Sequence, residues 1–323
     1  MSKIKAPQLS IDDPLAQAGQ TLLRHYARGL QFSEQVLLAQ HADAGSDSDN
    51  PPGPASLPVS AKQIKKMRVA TRRMRGVLRM FEPYFKRKFS KTLNKPLREL
   101  ALLGGRTRDL QLMIESAQAH VVRSDDDGKQ VIQPMIAEWQ VQQTDAQAKL
   151  EAYIQGNIFR KWQTQLDVML SAEIPTMARA WEVGEPSRLR HVLEAWLWQH
   201  IADVRAYDEL PERPSPEQVH ALRIAIKHLR YLIEALWLIW PTPQQAWIVR
   251  LHKHCVAAQD AYGGLNDVHT QELFINTFIE EARQGGRRIP LKGIRIYAAE
   301  QHRLVEEQII KWRSFLIPII KTP

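Results

Sequence analysis

Ser60-Ala61-Lys62-Gln63-Ile64-Lys65-Lys66-Met67-Arg68-Val69-Ala70-Thr71-Arg72-Arg73-Met74-Arg75 aligns without a gap, 155 residues on, with a second stretch. That stretch is Ser215-Pro216-Glu217-Gln218-Val219-His220-Ala221-Leu222-Arg223-Ile224-Ala225-Ile226-Lys227-His228-Leu229-Arg230. Each copy opens with Ser followed three residues later by Gln, a capping-box pattern, and the second adds Pro at the first helical position. Both copies are therefore expected to start as helices at the same register. At about 100° per residue, Lys65, Arg68, Arg72, Arg75 and Arg79 share a stripe about 80° wide. Ile64, Met67, Ala70, Met74, Val77, Leu78 and Phe81 form the opposite, core-directed face. In the second copy the stripe holds His220, Arg223, Lys227 and Arg230, closed by Glu234. Its apolar face is Val219, Leu222, Ala225, Leu229, Leu232, Ile233 and Leu236.

The charge of the chain is concentrated in this region. The 323 residues carry a formal net charge of +9, yet Lys62–Lys88 alone carries +10, with Glu82 its single acid. Like charges at helical spacing repel by a few tenths of a kcal/mol per pair. An uncompensated row of this kind points to an anion lying against it. Lys62, Lys66, Arg73 and His228 lie at the edges of the two stripes. Lys86, Arg87 and Lys88 either extend the path or are merely solvated.

A second element repeats after each basic helix. Leu103-Gly104-Gly105-Arg106-Thr107-Arg108-Asp109-Leu110 pairs with Ala261-Tyr262-Gly263-Gly264-Leu265-Asn266-Asp267-Val268, matching Gly105 with Gly263 and Asp109 with Asp267. Glycine here is expected to end one helix in a left-handed conformation before the next begins. Asp109 and Asp267 would then sit in a first turn, favoured by the helix dipole, or reach across to orient an arginine. Arg106 and Arg108 are placed to close one end of the cationic row.

Apolar residues three and four apart recur along almost the whole chain, and no alternating strand-like run is present, so the expected fold is all-α. Helices are expected over 14–40, 61–82, 89–103, 107–122, 131–155, 158–172, 187–208, 216–240, 244–261, 265–284 and 292–316. The organisation read from this pattern is a tail over 1–10 and one domain over 11–320. Its halves span about 11–172 and 187–318, the first interrupted by a mobile, breaker-rich loop at 41–58. Asp125-Asp126-Asp127-Gly128 reads as an exposed turn, since no spaced ligand series follows it.

Several functional classes are argued against. Cys255 is the single cysteine, which excludes an internal disulfide framework and a multi-Cys zinc site. His252 and Cys255 share a helical face, but His254 points away, which argues against a metal site there. His191 and His200 read as ordinary half-buried histidines. Apolar stretches such as Tyr231–Trp240 fall short of the ~20 residues that span a bilayer. Met1–Asp13 has no apolar core of a secretory signal, so a cytoplasmic protein without a membrane association is expected.

Taken together, the paired segments resemble the CHAD family, an α-helical domain named for its histidines. The matching residues are Arg68-Val69, Arg72-Arg73, Arg75 and Gly105–Asp109 in the first half. In the second they are His220, Arg223-Ile224, Lys227, Arg230-Tyr231 and Gly263–Asp267. The first-half histidine position is Lys65, which keeps a cation but departs from a paired-histidine chemistry. The resemblance implies two similar antiparallel helical bundles, pseudo-twofold symmetric, with a basic central groove that binds inorganic polyphosphate. It also implies association with polyphosphate granules and their proteins. No cofactor is expected. The Glu-x-Glu-x-Lys signature of the triphosphate-tunnel domain fused to some family chains is absent.

The residue-level reading agrees with a long polyanion as ligand. Arginine presents a planar fork that gives two hydrogen bonds to phosphate oxygens. The rival reading is the phosphate backbone of RNA or DNA, although few aromatics flank the stripe for base stacking. Phosphoanhydride catalysis would need a carboxylate cluster for metal or an activated nucleophile. The acids Glu99, Asp109, Glu234 and Asp267 are dispersed, so a binding protein rather than an enzyme is expected.

Overall fold

The computed structural model describes residues 7–44, 59–123, 126–184, 186–240, 242–287, 289–309 and 311–321. Its helices are α1 (Leu15–Ala44), α2 (Val59–Met80), α3 (Arg87–Arg123), α4 (Asp126–Gln155), α5 (Asn157–Ser171), α6 (Ile174–Met177) and α7 (Ala180–Gly184). They continue as α8 (Leu189–Arg205), α9 (Pro216–Ala235), α10 (Thr242–Gln284), α11 (Leu291–Ile309) and α12 (Trp312–Ile320). Short 3-10 turns follow α8 and α9. Among the described residues there is no β-strand, only two isolated bridges. The all-α class is as the periodicity predicts.

The apolar stripe of the first repeat is the interior of its helix. Ile64, Met67, Ala70, Met74, Val77, Leu78 and Phe81 are all buried, and α2 packs along α1. In the second repeat, α9 packs along α10. Val219, Leu222, Leu229, Leu232, Ile233 and Leu236 are buried as expected, while Ala225 stays half-exposed and Ile226 enters the core instead. Each fully buried large aliphatic side chain contributes about 1.5–3 kcal/mol, so these faces dominate over local propensity.

The expected capping box forms at α9. Ser215 Oγ accepts from Gln218 N at 3.3 Å, and Ser215 N donates to Gln218 Oε1 at 2.8 Å. Pro216 occupies the first turn. At α2 the helix already includes Val59, so Ser60 lies inside it and not at the N-cap position that the pattern assigns. The loop expected at 41–58 falls mostly outside the described residues, and its first part, 41–44, is helical within α1.

The glycine pairs do not end helices. α3 runs through Gly104 and Gly105, and α10 runs through Gly263 and Gly264. A helical glycine costs roughly 1 kcal/mol relative to alanine, too little to break a long helix held by tertiary packing. Among the described residues the glycine with positive φ is Gly286 (65°), just past the end of α10. Asp109 and Asp267 therefore lie mid-helix, and the dipole role expected in a first turn does not apply to them. The expected breaks at 103–107 and 261–265 are absent for the same reason, whereas the expected helix 292–316 is divided into α11 and α12.

The described chain forms two compact units. Unit 1 is the chain up to Arg108 with Thr144–Leu193; unit 2 is Asp109–Gln143 with the chain from Glu194 onward. The first boundary falls inside α3, at Arg108 and Asp109. Residues after Asp109 join unit 2 through specific contacts. His120 Nδ1 lies 2.7 Å from Glu300 Oε2, Gln271 Nε2 donates to Ser116 Oγ at 3.2 Å, and Arg287 donates to Glu138 at 2.6 Å.

In unit 1 the turn between α2 and α3 is held firmly. Phe81 and Phe85 are fully buried, and their rings pass so close to α1 that a Cβ on Gly19 would come within 2.6 Å of Phe85. The Phe85 ring packs tilted against Phe89, with ring centres 4.9 Å apart. Lys86 N donates to Met177 O at 2.7 Å, and Arg179 donates through N to Tyr84 O and through Nε to Phe85 O, both at 3.1 Å. These bonds anchor the turn to the α6–α7 connector.

Candidate functional site

In unit 1, α2 presents the expected cationic face. Lys62, Lys65, Arg72 and Arg79 are exposed, while Lys66, Arg68 and Arg75 are half-buried. Burial pushes the Arg75 guanidinium below the usual arginine range, and the charges of Arg79 and Arg98 push it in the same direction. Arg75 thus stands between like charges from its own helix and from α3. Arg73 leaves the row: its guanidinium lies 5.6 Å from the centre of the Tyr26 ring, an attachment to α1.

A cleft of about 350 Å³ opens between the end of α2 and the start of α3. Arg75, Leu78, Arg79 and Glu82 line it from α2, and Arg87, Ser90, Lys91 and Asn94 from α3. Two polar atoms of these walls, Arg75 Nε and Ser90 Oγ, are shielded from solvent without a hydrogen-bond partner in the protein. Ser90, Lys91, Asn94 and Arg98 are the site residues that the sequence reading missed. A signal was present: Arg87, Lys91, Asn94 and Arg98 recur at four-, three- and four-residue intervals, one face of a helix.

Further along α3, the Arg68 side chain lies against Gly104, where a Cβ would sit 3.2 Å from its Cγ. Gly105 has open space beside it. Arg106 is exposed, and Arg108 and Asp109 are half-buried on the same helix. Arg106 and Arg108 belong to unit 1 with α2.

Unit 2 carries the second repeat. His220 is exposed, and Arg223, Lys227, His228 and Arg230 are half-buried. Arg223 Nε is shielded without a hydrogen-bond partner in the protein. Arg230 is tied down: Nε donates to Glu234 Oε1 at 2.7 Å, and NH1 donates to Gln259 Oε1 at 2.9 Å. His252 Nε2 approaches the same Glu234 oxygen at 3.2 Å. Arg230 is therefore part of a charge network, not simply the last cation of a row. Cys255 is buried, and burial pushes its thiol up to about 12, partly offset by Arg230. Among the described residues no group of three His, Cys, Asp or Glu side chains is arranged to hold a metal ion. Gly263 has open space beside it, and the Asp267 side chain lies outside what is described.

The fold and these faces define an all-helical protein in which each unit carries one cation-faced repeat helix. The CHAD domain model matches residues 58–276, and the chain belongs to the CHAD domain family. Its fold is similar to the crystal structure of the CHAD domain from the plant Ricinus communis, with a TM-score of 0.71, 15% identity, and coverage of 99% of this chain and 96% of that one. It is also similar to PptA from Streptomyces chartreusis, with a TM-score of 0.62, 14% identity, and coverage of 94% and 99% respectively. No curated protein matches the chain. Among the described residues, no helix is long and apolar enough to cross a membrane.

Proposed function

We propose that this chain binds inorganic polyphosphate without transforming it, through the cationic faces of α2 and α9, and that it associates with polyphosphate granules. The observation that carries this reading is the row Lys65, Arg68, Arg72, Arg75 and Arg79 on one side of a helix whose other side is core. Arg75 is held there despite burial and despite Arg79 and Arg98. A flexible linear polyanion neutralises such a row, and the counterions it releases drive binding. Membership of a family associated with polyphosphate supports the same ligand.

Binding without catalysis rests on the use to which the nearby acids are put. Glu234, the acid at the end of the second stripe, is engaged by Arg230 and His252. Glu82, in the turn after α2 at the cleft wall, and Glu99, on α3, are both exposed and lie 17 residues apart in the sequence.

The test is a salt series on the full chain with long-chain polyphosphate and single-stranded RNA. Polyphosphate affinity is expected to fall about 100-fold between about 50 and 200 mM salt, and polyphosphate to displace RNA far below the reverse concentration. RNA binding as tight as polyphosphate binding would overturn the ligand assignment. Release of orthophosphate by the pure protein would overturn the non-catalytic part.

A further inference from the structure

The cleft between α2 and α3 differs from the open cationic row. The backbone between Glu82 and Arg87 joins its two walls and closes one end. That connection is pinned by buried Phe81 and Phe85 and by the bonds of Tyr84, Phe85 and Lys86 to the α6–α7 connector. That end of the cleft is blocked, while the cleft stays open to solvent elsewhere.

The walls also carry neutral polar groups as well as charge. Arg75 Nε and Ser90 Oγ, from opposite walls, are both shielded from water and lack a protein partner, a costly state for a buried donor. Asn94 adds a neutral amide beside the cations Arg79, Arg87 and Lys91. α3 itself starts on Arg87 and Lys88 with no acid in its first turn. The helix dipole favours negative charge at that end, and the cleft walls set four cations, Arg75, Arg79, Arg87 and Lys91, against the single carboxylate of Glu82. A volume of about 350 Å³ is at the small end for a ligand pocket.

We propose that this cleft is an end-group site, which takes the terminal phosphate of a linear oligo- or polyphosphate. A terminal phosphate has three non-bridging oxygens and an ionisation that an interior phosphate lacks. It therefore suits a cationic cleft blocked at one end, whereas an interior phosphate needs a path open on both sides. The proposal rests on the polyphosphate reading above and adds that the protein distinguishes a chain end from the middle.

The experiment compares pyrophosphate, which has two ends, with cyclic trimetaphosphate, which has none and carries nearly equal charge at neutral pH. Calorimetry on the full chain is expected to show pyrophosphate bound at least about 10-fold more tightly. The charge-neutral pair Ser90→Ala and Asn94→Leu is expected to abolish that preference by bringing the two small anions to within about 2-fold of each other. Lys91→Ala, at an exposed position, provides a second variant in case the pair impairs folding; it too is expected to lose the preference. Equal binding of the two small anions, or a preference that survives in a folded variant, would overturn the end-group site and leave the polyphosphate reading standing. Failure of long-chain polyphosphate itself to bind would overturn both.

Discussion

The Arg68 side chain crosses α3 at Gly104, with its Cγ 3.2 Å from the place a Cβ would occupy. The glycine is kept for close approach and not for a turn, since α3 is helical on both sides of it. Gly104→Val is expected to displace Arg68 and weaken polyphosphate binding by about 5- to 10-fold, the loss of one charge-assisted contact. Circular dichroism and a binding titration would check that helicity is retained while affinity falls. Unchanged affinity would show that the Arg68 position is immaterial.

Gly105 and Gly263 make the opposite prediction. Both have open space where a Cβ would go and lie in continuous helices without positive φ. Gly105→Ala and Gly263→Ala are each expected to stabilise the protein by about 0.5–1 kcal/mol. A melting temperature that falls in either variant would point to a role for the glycine that helix continuity does not explain.

Reversing charge on the row tests the site directly. Arg72→Glu together with Arg75→Glu changes the local charge by four units and places carboxylates beside Arg79 and Arg98, which now repel Arg75. Polyphosphate binding is expected to be lost by at least about 100-fold, with the far-ultraviolet spectrum unchanged. Retained affinity would remove α2 from the site.

Histidine is the side chain suited to charge changes near neutral pH. His220 stands exposed on the stripe of α9. Polyphosphate affinity is expected to strengthen as pH falls from about 7.5 to 5.5, and His220→Ala to flatten that rise. An identical profile in wild type and variant would exclude His220 as the source.

Glu34 gives a pH dependence of stability in unit 1. It is 6% exposed on α1 and accepts a hydrogen bond from Gln163 on α5. Burial raises its pKa from 4.5 to about 7, against the opposing effects of Gln163 and Arg160. The folded state therefore holds a proton that the unfolded chain releases, so this contribution is full below pH 4.5 and is lost as pH rises through about 7. Glu34→Gln is expected to raise the melting temperature at about pH 8 by roughly 2–4 °C and to have a much smaller effect near pH 5. A gain of equal size at both pH values would assign the effect to packing.

Much of the fold was legible because it depends on short-range periodicity. Met67, Met74 and Phe81 face the core where a period near 3.6 puts them, and Ser215 and Gln218 cap α9 through a local motif. The glycine pairs misled for an equally physical reason. A local preference worth roughly 1 kcal/mol suggests a break, while the side chains packed along α3 and α10 outweigh it. Residues 109–143 join unit 2 through contacts such as His120 with Glu300 and Ser116 with Gln271. Their partners lie far away in sequence and no local pattern encodes them.

For the candidate site, the sequence by itself determined which cations share a helical face, because side-chain direction on a helix follows from residue spacing alone. Tertiary structure decided what each cation meets. Arg73 turns to Tyr26, Arg230 is drawn into the Glu234 and Gln259 network, and Arg68 crosses Gly104. It also decided that Ser90, Lys91 and Asn94 stand opposite Arg75 and Arg79 across one cleft. Such convergence depends on the angle at which two helices leave their turn, which is set by the packing of Phe81 and Phe85 beneath Gly19 and not by the residues that line the cleft.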